Sequence, residues 1–135
     1  MSNKYLDLVK NDDQQVNRLF RFLGVKVVKI SPDEVIISLP LSDDFTQGNG
    51  VTAGGIISTL MDEAMAHVVM ANIGETTNIA TIDMTVRFFK PVKGDKLTAC
   101  ATIKKPGRKI VFAHAVVMDG TVTVADADAS FIILG

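Results

Sequence analysis

The sequence predicts an α+β domain in which one long apolar helix packs against a curved antiparallel sheet. Residues 55–72 form a nearly all-apolar stretch, and the segments after it alternate apolar and polar residues between short turns. Strands joined by short turns pair antiparallel, because parallel pairs need a longer crossover. The 135 residues suffice to bury one core. We therefore expect a single domain over residues 1–135.

The first half of the chain is predicted to contain two helices and two strands. An amphipathic helix is expected at about residues 11–23, where apolar residues recur at helical spacing and Gly24 follows as a terminator. Strands are expected at residues 25–30 and 35–39 around a Ser-Pro-Asp turn, followed by a loop. The long helix then runs over residues 55–72.

The second half is predicted to consist of strands, at residues 78–89, 96–104, 109–118 and 122–134, separated by glycine-containing turns. Alternation assigns two faces to the first of these strands. One face carries Ile82, Met84, Val86 and Phe88, and the other carries Thr81, Asp83, Thr85 and Arg87.

The composition argues against several classes of protein. Net charge is −1, which lacks the basic excess of a nucleic-acid-binding protein. One cysteine cannot form a disulfide within the chain, and no clustered Cys and His residues indicate a metal site. No signal-peptide pattern is present, and no apolar run reaches membrane-spanning length. We therefore expect a soluble, cytoplasmic protein that does not span a membrane and has no metal site.

The start of the long helix carries an unusual combination of residues. Gly54 and Gly55 stand at its N-terminus, where backbone N–H groups lack intrahelical partners and carry a partial positive charge. Asp62 and Glu63 lie inside the apolar run, where a carboxylate needs a partner or a function. A glycine pair that only permits a tight turn, and an Asp that is structural or solvated, are the alternatives.

Four segments resemble the hotdog-fold acyl-CoA thioesterases, with the phenylacetate-degradation type as the nearest branch. They are NGVTAGGIISTLMDEA, TIDMTVRFFKPVKGD, PGRK and DGTVTVADADASF, in the family's order over about residues 35–134. The resemblance implies a hotdog fold and hydrolysis of an acyl- or aryl-acyl-CoA to free acid and CoA. It also implies a homodimer or a dimer of dimers, and no cofactor.

Matched residue by residue, the resemblance places the family's catalytic groups on this chain. The glycine pair falls on Gly54 and Gly55, the helical acid on Asp62 and the strand hydroxyl on Thr81. Two positions depart from the pattern. Ala53 stands where the family usually has His and cannot replace an imidazole. Gln47 stands where the family often has Asn, and it can donate and accept in the same way.

These residue types suit thioester hydrolysis. Gly54 and Gly55 would offer amides to the oxyanion that develops on the carbonyl oxygen. Asp62 would act as general base on water or as a nucleophile that gives an anhydride, and the sequence leaves both open. Thr81 would orient the water or is an ordinary strand residue. Gln47 would hold the carbonyl or is a solvated loop residue.

Further residues are candidates for substrate binding. Gly50 and Ala53 precede the glycine pair and are expected beside the substrate. Lys90, Arg108 and Lys109 lie at turn edges, where they would contact CoA phosphates or remain solvated charges.

Gly54 and Asp62 are too far apart on one helix to act on the same carbonyl. Eight residues at a rise of about 1.5 Å separate them by roughly 12 Å. If both act, one must come from a second subunit, which agrees with the family, whose active sites lie at a dimer interface.

Other functions are compatible with parts of the sequence. A hotdog module that binds acyl-CoA without catalysis, and a purely structural oligomerisation domain, remain open. The Asp62–His67 spacing occurs in hotdog hydratases, but five helical residues turn about 140° and place the two side chains on different faces. We therefore reject a hydratase and expect His67 to pair with Glu63. His114 is expected to be structural.

Overall fold

The computed structural model describes residues 4–74 and 78–135 of the chain. Helices α1, α2 and α3 span Lys4–Val9, Arg18–Leu23 and Gly54–Ile73, and a single 3₁₀ turn covers Asp43–Phe45. The strands are β1 (Lys26–Ile30), β2 (Glu34–Pro40), β3 (Ile79–Phe88), β4 (Lys96–Lys105), β5 (Ile110–Asp119) and β6 (Val122–Ile133). The predicted strands and the predicted long helix are all found, with ends that differ by at most one residue.

The strands form one antiparallel sheet in the order β1-β2-β4-β5-β6-β3. The chain reaches β3 directly after α3, yet β3 pairs with the last strand, β6. β1 and β3 are therefore the two edges of the sheet among the described residues. The predicted α+β architecture, a long helix against an antiparallel hotdog sheet, is confirmed.

Helix α3 packs against the inner face of this sheet, and small side chains let it approach closely. Alternate residues of β4, β5 and β6 on that face are buried alanines: Ala99, Ala101, Ala113, Ala115, Ala125, Ala127 and Ala129. Leu60, Met61 and Met65 of α3 fill the space above them and are at most 2% exposed. Removing these large side chains from water is the main favourable term that holds the helix in place.

By length and composition alone, α3 could cross a membrane, contrary to the sequence expectation that no run is long enough. The helix reaches that length although two carboxylates, Asp62 and Glu63, lie in its middle. More than half of its apolar window, 56%, is buried inside the protein. This burial is the behaviour of a core helix.

The predicted helix over residues 11–23 is wrong in its first half. Only Arg18–Leu23 is helical, with Asn17 as its N-cap through a 3.0 Å bond from Phe20 N–H to Asn17 Oδ1. The buried Gln14 side chain donates to the carbonyl of Val9 and accepts from the amide of Asn17. These bonds occupy backbone groups that a longer helix would use internally. Gly24 ends α2 in the left-handed conformation, as predicted.

The predicted alternation in β3 is also wrong at one point. A β-bulge between Thr81 and Asp83 shifts the register against β6. Thr81 consequently reaches the helix side of the sheet, whereas Asp83 accepts a 2.6 Å hydrogen bond from Ser130 of the neighbouring strand. A bulge inserts one extra residue and so breaks the period of two on which the prediction rested.

Candidate active site

The N-terminus of α3 presents two glycine amides without a capping side chain. The N-cap residue, Ala53, is extended and offers no side-chain hydrogen bond. The first turn closes on its carbonyl, which accepts from Ile56 N and Ile57 N at 3.0 and 3.3 Å. In the described part of the chain, this leaves the amides of Gly54 and Gly55 with no acceptor. Such amides are suited to bind a negatively charged oxygen.

An aromatic ring lies directly over the first of these glycines. A Cβ added to Gly54 would stand 3.2 Å from Cζ of Phe88 and 3.4 Å from its Cε1, whereas the same atom on Gly55 would meet nothing within 4 Å. The ring is half-exposed, at 53%. A side chain at position 54 would therefore press on the Phe88 ring, which would have to shift by a few tenths of an ångström, whereas position 55 has open space.

The predicted acid and the predicted strand hydroxyl meet each other. Thr81 Oγ1 donates a 2.9 Å hydrogen bond to Asp62 Oδ1. Asp62 is half-buried on the face of α3 that points to β3, and Thr81 is exposed at the sheet edge. The bond fixes one carboxylate oxygen and leaves the other free to accept a proton.

The glycine pair and the acid lie at opposite ends of β3. Phe88, the last residue of β3, covers Gly54, whereas Thr81, near the start of the strand, holds Asp62. The helical rise gives about 12 Å between Gly54 and Asp62. Within one chain, the two candidate groups are therefore too far apart to act on the same carbonyl.

The candidate cations divide between the same two ends. Lys90 donates from its backbone amide to Val124 O at 3.3 Å and lies beside Gly54 in a groove of about 330 Å³. Arg108 and Lys109 lie in the exposed β4–β5 turn, where the carbonyl of Lys109 accepts from Ile133 N at 2.8 Å. Ile133 pairs with Ile79, two residues from Thr81. These two cations therefore belong to the Asp62 end.

Gln47 lies in the loop that leads into α3, and its side chain is engaged within that loop. Its amide oxygen accepts a short hydrogen bond from Asn49 N. The loop closes through Gln47 N to Val51 O at 2.9 Å and Gly50 N to Gln47 O at 2.8 Å, with Gly50 at φ 80. Gln47 does not contact Asp62 or Thr81, and Gly50 serves the turn.

The most perturbed groups of α3 lie on another face, against the N-terminal segment. Burial, and secondarily the charge of Asp62, raises the pKa of Glu63, while a hydrogen bond from Asn17 opposes the rise. His67 is 2% exposed, and burial lowers its pKa to about 4. Its Nε2 lies 2.9 Å from the hydroxyl of Tyr5. Asn17 donates to the same hydroxyl at 2.9 Å.

His67 and Glu63 are in contact, but not as the side-chain pair expected from the sequence. His67 Nδ1 lies 2.6 Å from the backbone carbonyl of Glu63. The Phe20 ring lies over the imidazole at a centroid distance of 5.0 Å. Because α1 and α2 surround the imidazole, His67 joins the N-terminal segment to α3 and points away from Asp62.

The outer face of the sheet carries a separate network of charges. Arg87 binds Asp126 and Asp128 at 2.7 Å each, and Lys104 and His114 reach Asp128 at 3.2 and 2.9 Å. The pKa of Asp128 is held well below its usual range, chiefly by the hydrogen bond from Arg87. His114 thus has a structural partner, as expected. In residues 4–74 and 78–135, no three His, Cys, Asp or Glu side chains cluster to hold a metal ion.

Sequence reasoning did not identify Phe88 or the Tyr5–Asn17–Glu63–His67 cluster as parts of this region. The aromatic pair Phe88-Phe89 just before Lys90 and Pro91 was the available sequence signal, because two large apolar side chains at the end of a strand need a surface to pack on. The cluster depends on how residues 4–17 fold back onto α3, and no local pattern indicates that path.

Comparisons with known proteins identify the family of the chain. The sequence profile of the thioesterase superfamily matches residues 49–125. A protein of Halobacterium salinarum, provisionally named an esterase, is 33% identical over 122 residues, which cover 87% of this chain and 80% of that protein. Acyl-coenzyme A thioesterase 13 of Mus musculus is 26% identical over 90 residues, covering 66% of this chain and 64% of that one.

Solved structures share the fold at low sequence identity. A phenylacetic acid degradation-related protein from Ralstonia eutropha has a TM-score of 0.87 at 18% identity, covering 97% of this chain and 100% of its own. The PaaI protein of E. coli has a TM-score of 0.79 at 18% identity, covering 88% and 86%. The profile match spans more than half of the sequence and contains Gly54, Asp62 and Thr81, and the chain belongs to the thioesterase superfamily.

Proposed function

We propose that this protein is an acyl-CoA thioesterase that hydrolyses an acyl- or aryl-acyl-CoA to free acid and CoA, with no cofactor. The observation that carries the proposal is the Thr81–Asp62 hydrogen bond at one end of β3, combined with two unpartnered glycine amides at the other. A positioned acid and a pair of amide donors are the two components that this hydrolysis needs. Superfamily membership supports the reaction class.

In the proposed mechanism, the amides of Gly54 and Gly55 bind the thioester carbonyl oxygen. Negative charge develops there as the carbonyl carbon is attacked, and preorganised donors stabilise that charge. Asp62 takes the proton of the attacking water, while the hydroxyl of Thr81 fixes the orientation of the carboxylate. Collapse of the tetrahedral intermediate breaks the C–S bond and releases CoA, whose thiolate then takes up the proton. Direct attack by Asp62 to give an anhydride uses the same residues.

Gly54 and Asp62 are brought together on one carbonyl by a second copy of the chain. β3 is a sheet edge with a partner on one side, and Ile82 and Phe88 on it are 52% and 53% exposed. A long edge strand with exposed apolar residues is a ready surface for pairing with another chain. Antiparallel pairing of two β3 strands about a two-fold axis would bring the Gly54 end of one chain to the Asp62 end of the other.

The same arrangement would gather the cations around one ligand. Lys90 of one chain would approach Arg108 and Lys109 of the other, because these groups lie at opposite ends of β3 in a single chain. CoA carries phosphate groups that such cations recognise. Gly50, Ala53 and Gln47 would then lie at the rim of the site.

A second candidate function is an acyl-CoA-binding module without catalysis. Ala53 favours it, because this N-cap residue supplies no polar group next to the glycine pair. Turnover separates the two functions. A panel of aliphatic and aromatic acyl-CoAs, with a thiol reagent to detect free CoA, should show release with at least one substrate. Ligand-induced thermal stabilisation without any release above the uncatalysed rate would support the module and contradict the enzyme.

A further inference from the structure

We infer that Phe88 is a specificity-determining residue, whose ring forms the wall of an acyl pocket and favours aryl-acyl groups over straight chains. This inference rests on the proposed function, since it places the thioester carbonyl at the amides of Gly54 and Gly55. The acyl group attached to that carbonyl must then lie close to the side chain that packs on Gly54. In the structure this side chain is Phe88.

The contact between Phe88 and the helix start is close and specific. Three ring atoms of Phe88 lie 3.2 to 3.7 Å from the position of a Cβ on Gly54. Phe88 is nevertheless 53% exposed in the single chain, so one side of its ring packs on the helix start and the remainder is not covered by the chain's own residues. A rigid apolar surface of this kind, next to a reacting carbonyl, contacts whichever substituent the carbonyl carries.

The groove in front of the ring is largely apolar. It has a volume of about 330 Å³, and its lining consists of Thr52, Gly54, Ile57, Phe88, Phe89, Lys90, Pro91 and Val92. Thr52 and Lys90 are the members with polar side chains. The remainder is Gly54, two phenylalanines, a proline and two branched aliphatic residues, and these suit a hydrocarbon group.

This lining favours the acyl part of the substrate over the pantetheine arm of CoA. The arm contains two amides. Moving an amide from water into an apolar groove without hydrogen-bond partners costs free energy. An acyl group carries no such requirement. Because aromatic rings pair with an energy beyond that of simple burial, an aryl group against Phe88 should gain more than a straight chain of similar size.

The test compares Phe88→Leu with the wild type on phenylacetyl-CoA and hexanoyl-CoA. Leu keeps the groove apolar and removes the aromatic face, so kcat/KM for phenylacetyl-CoA should fall by about tenfold relative to hexanoyl-CoA. Phe88→Tyr retains the ring and should retain the wild-type ratio. Phe112→Leu, at a phenylalanine of the outer sheet face that is 43% exposed, is the matched control and should leave both rates unchanged.

A binding measurement tests the contact between Phe88 and the acyl group independently of catalysis. The probes are ketone analogues of the two CoA thioesters, in which a methylene replaces the sulfur and the carbonyl is kept, with Kd measured by calorimetry for wild type and Phe88→Leu. If Phe88→Leu changes the ratio of the two Kd values while no protein hydrolyses either thioester, the thioesterase proposal is refuted but the role of Phe88 in the acyl pocket is supported. Active enzymes in which Phe88→Leu changes both substrates by the same factor, in rates and in Kd, would overturn the wall alone.

The packing contact itself offers a further check. Gly54→Ala should reduce kcat/KM, because its Cβ would press on the Phe88 ring at 3.2 Å. Phe88→Leu in that background should recover part of the loss, since the smaller side chain gives way. If the double variant loses kcat/KM by the product of the two single losses, Gly54 and Phe88 act independently and the proposed packing contact does not shape the acyl pocket.

Discussion

Thr81 Oγ1 donates a 2.9 Å hydrogen bond to Asp62 Oδ1 and thereby joins the edge strand of the sheet to the middle of its central helix. A β-bulge makes this bond geometrically accessible, because it turns Thr81 toward the helix while Asp83 remains on the outer face. The bond distinguishes Asp62 from its neighbour Glu63, whose side chain bonds Asn17 on a different side of α3.

Replacing the acid tests which carboxylate performs the chemistry. Asp62→Asn preserves the shape and the bond from Thr81 but removes the proton acceptor, so kcat should fall by about 100-fold or more. Glu63→Gln should cost far less, because Glu63 faces the N-terminal segment. Steady-state kinetics on one good substrate measures both variants. Equal losses, or a larger loss for Glu63→Gln, would mean that the acid has been assigned to the wrong residue.

Two substitutions distinguish the role of the Thr81 hydroxyl from that of the size of its side chain. Thr81→Ser keeps the donor and should retain most of the activity. Thr81→Val keeps the size but leaves the Asp62 carboxylate without this bond, so kcat should fall by about tenfold, the equivalent of one hydrogen bond. Circular dichroism and thermal unfolding of both variants control for folding. Identical activities of the Ser and Val variants would show that Thr81 is only a strand residue.

Ala53→His restores the residue that the family usually has before the glycine pair. It should increase kcat/KM for at least one acyl-CoA, because an imidazole at the N-cap adds a polar group beside the carbonyl site. The measurement is a substrate panel with wild type and variant side by side. If the variant folds normally and is no faster on any substrate, Ala53 is not what limits the rate.

Buried His67 should make stability depend on pH. Its pKa is lowered to about 4 in the folded protein, from an ordinary value near 6.5. The unfolded chain therefore binds more protons between these values, so the stability present above pH 6.5 should be lost as the pH falls toward 4. Tyr5 and Glu63 are the other titratable groups close to the imidazole, and burial raises the pKa of both. The raised pKa of Glu63 makes its contribution to stability decrease as the pH rises, which is opposite to the contribution of His67.

Thermal or urea unfolding of wild type and His67→Gln at several pH values between 4 and 7 isolates this contribution. The difference in the free energy of unfolding between the two proteins should change across that interval, because the variant lacks the titrating imidazole. Parallel pH profiles for the two proteins would contradict a neutral, buried His67.

Much of the fold was predictable because its elements carry local signals. Apolar residues run all round α3, and glycines mark its end at Gly74 and the end of α2 at Gly24, both in the left-handed conformation. The strands alternate and are separated by short turns. The prediction of a helix over residues 11–23 was wrong because the Gln14 side chain bonds the carbonyl of Val9 and the amide of Asn17. A longer helix would use such backbone groups internally.

The sequence singled out two candidate residues that the structure brings together, but it did not predict the geometry of their contact. The family's spacing placed Asp62 and Thr81, and the structure brings them into contact. A bulge depends on the register of two strands, so the period of two could not reveal that Thr81 faces the helix. Phe88 covers Gly54 through a contact between residues distant in sequence, for which a sequence pattern gives no distance.

The central claim is that each active site draws its glycine amides and its acid from different chains. Gly54→Val crowds the oxyanion site and Asp62→Ala removes the acid, so each variant homodimer should be nearly inactive. Circular dichroism must first confirm that both fold, because Gly54→Val presses on Phe88 at the start of α3.

The most direct test is the activity of mixed dimers formed by refolding these two variants together in equal amounts. About half of the dimers should be mixed, and each mixed dimer would have one site with both lesions and one with neither. With two independent sites per dimer, activity should recover to roughly a quarter of the wild-type value. Mixed dimers that form, as shown by differently tagged chains, and yet stay inactive would contradict the shared site.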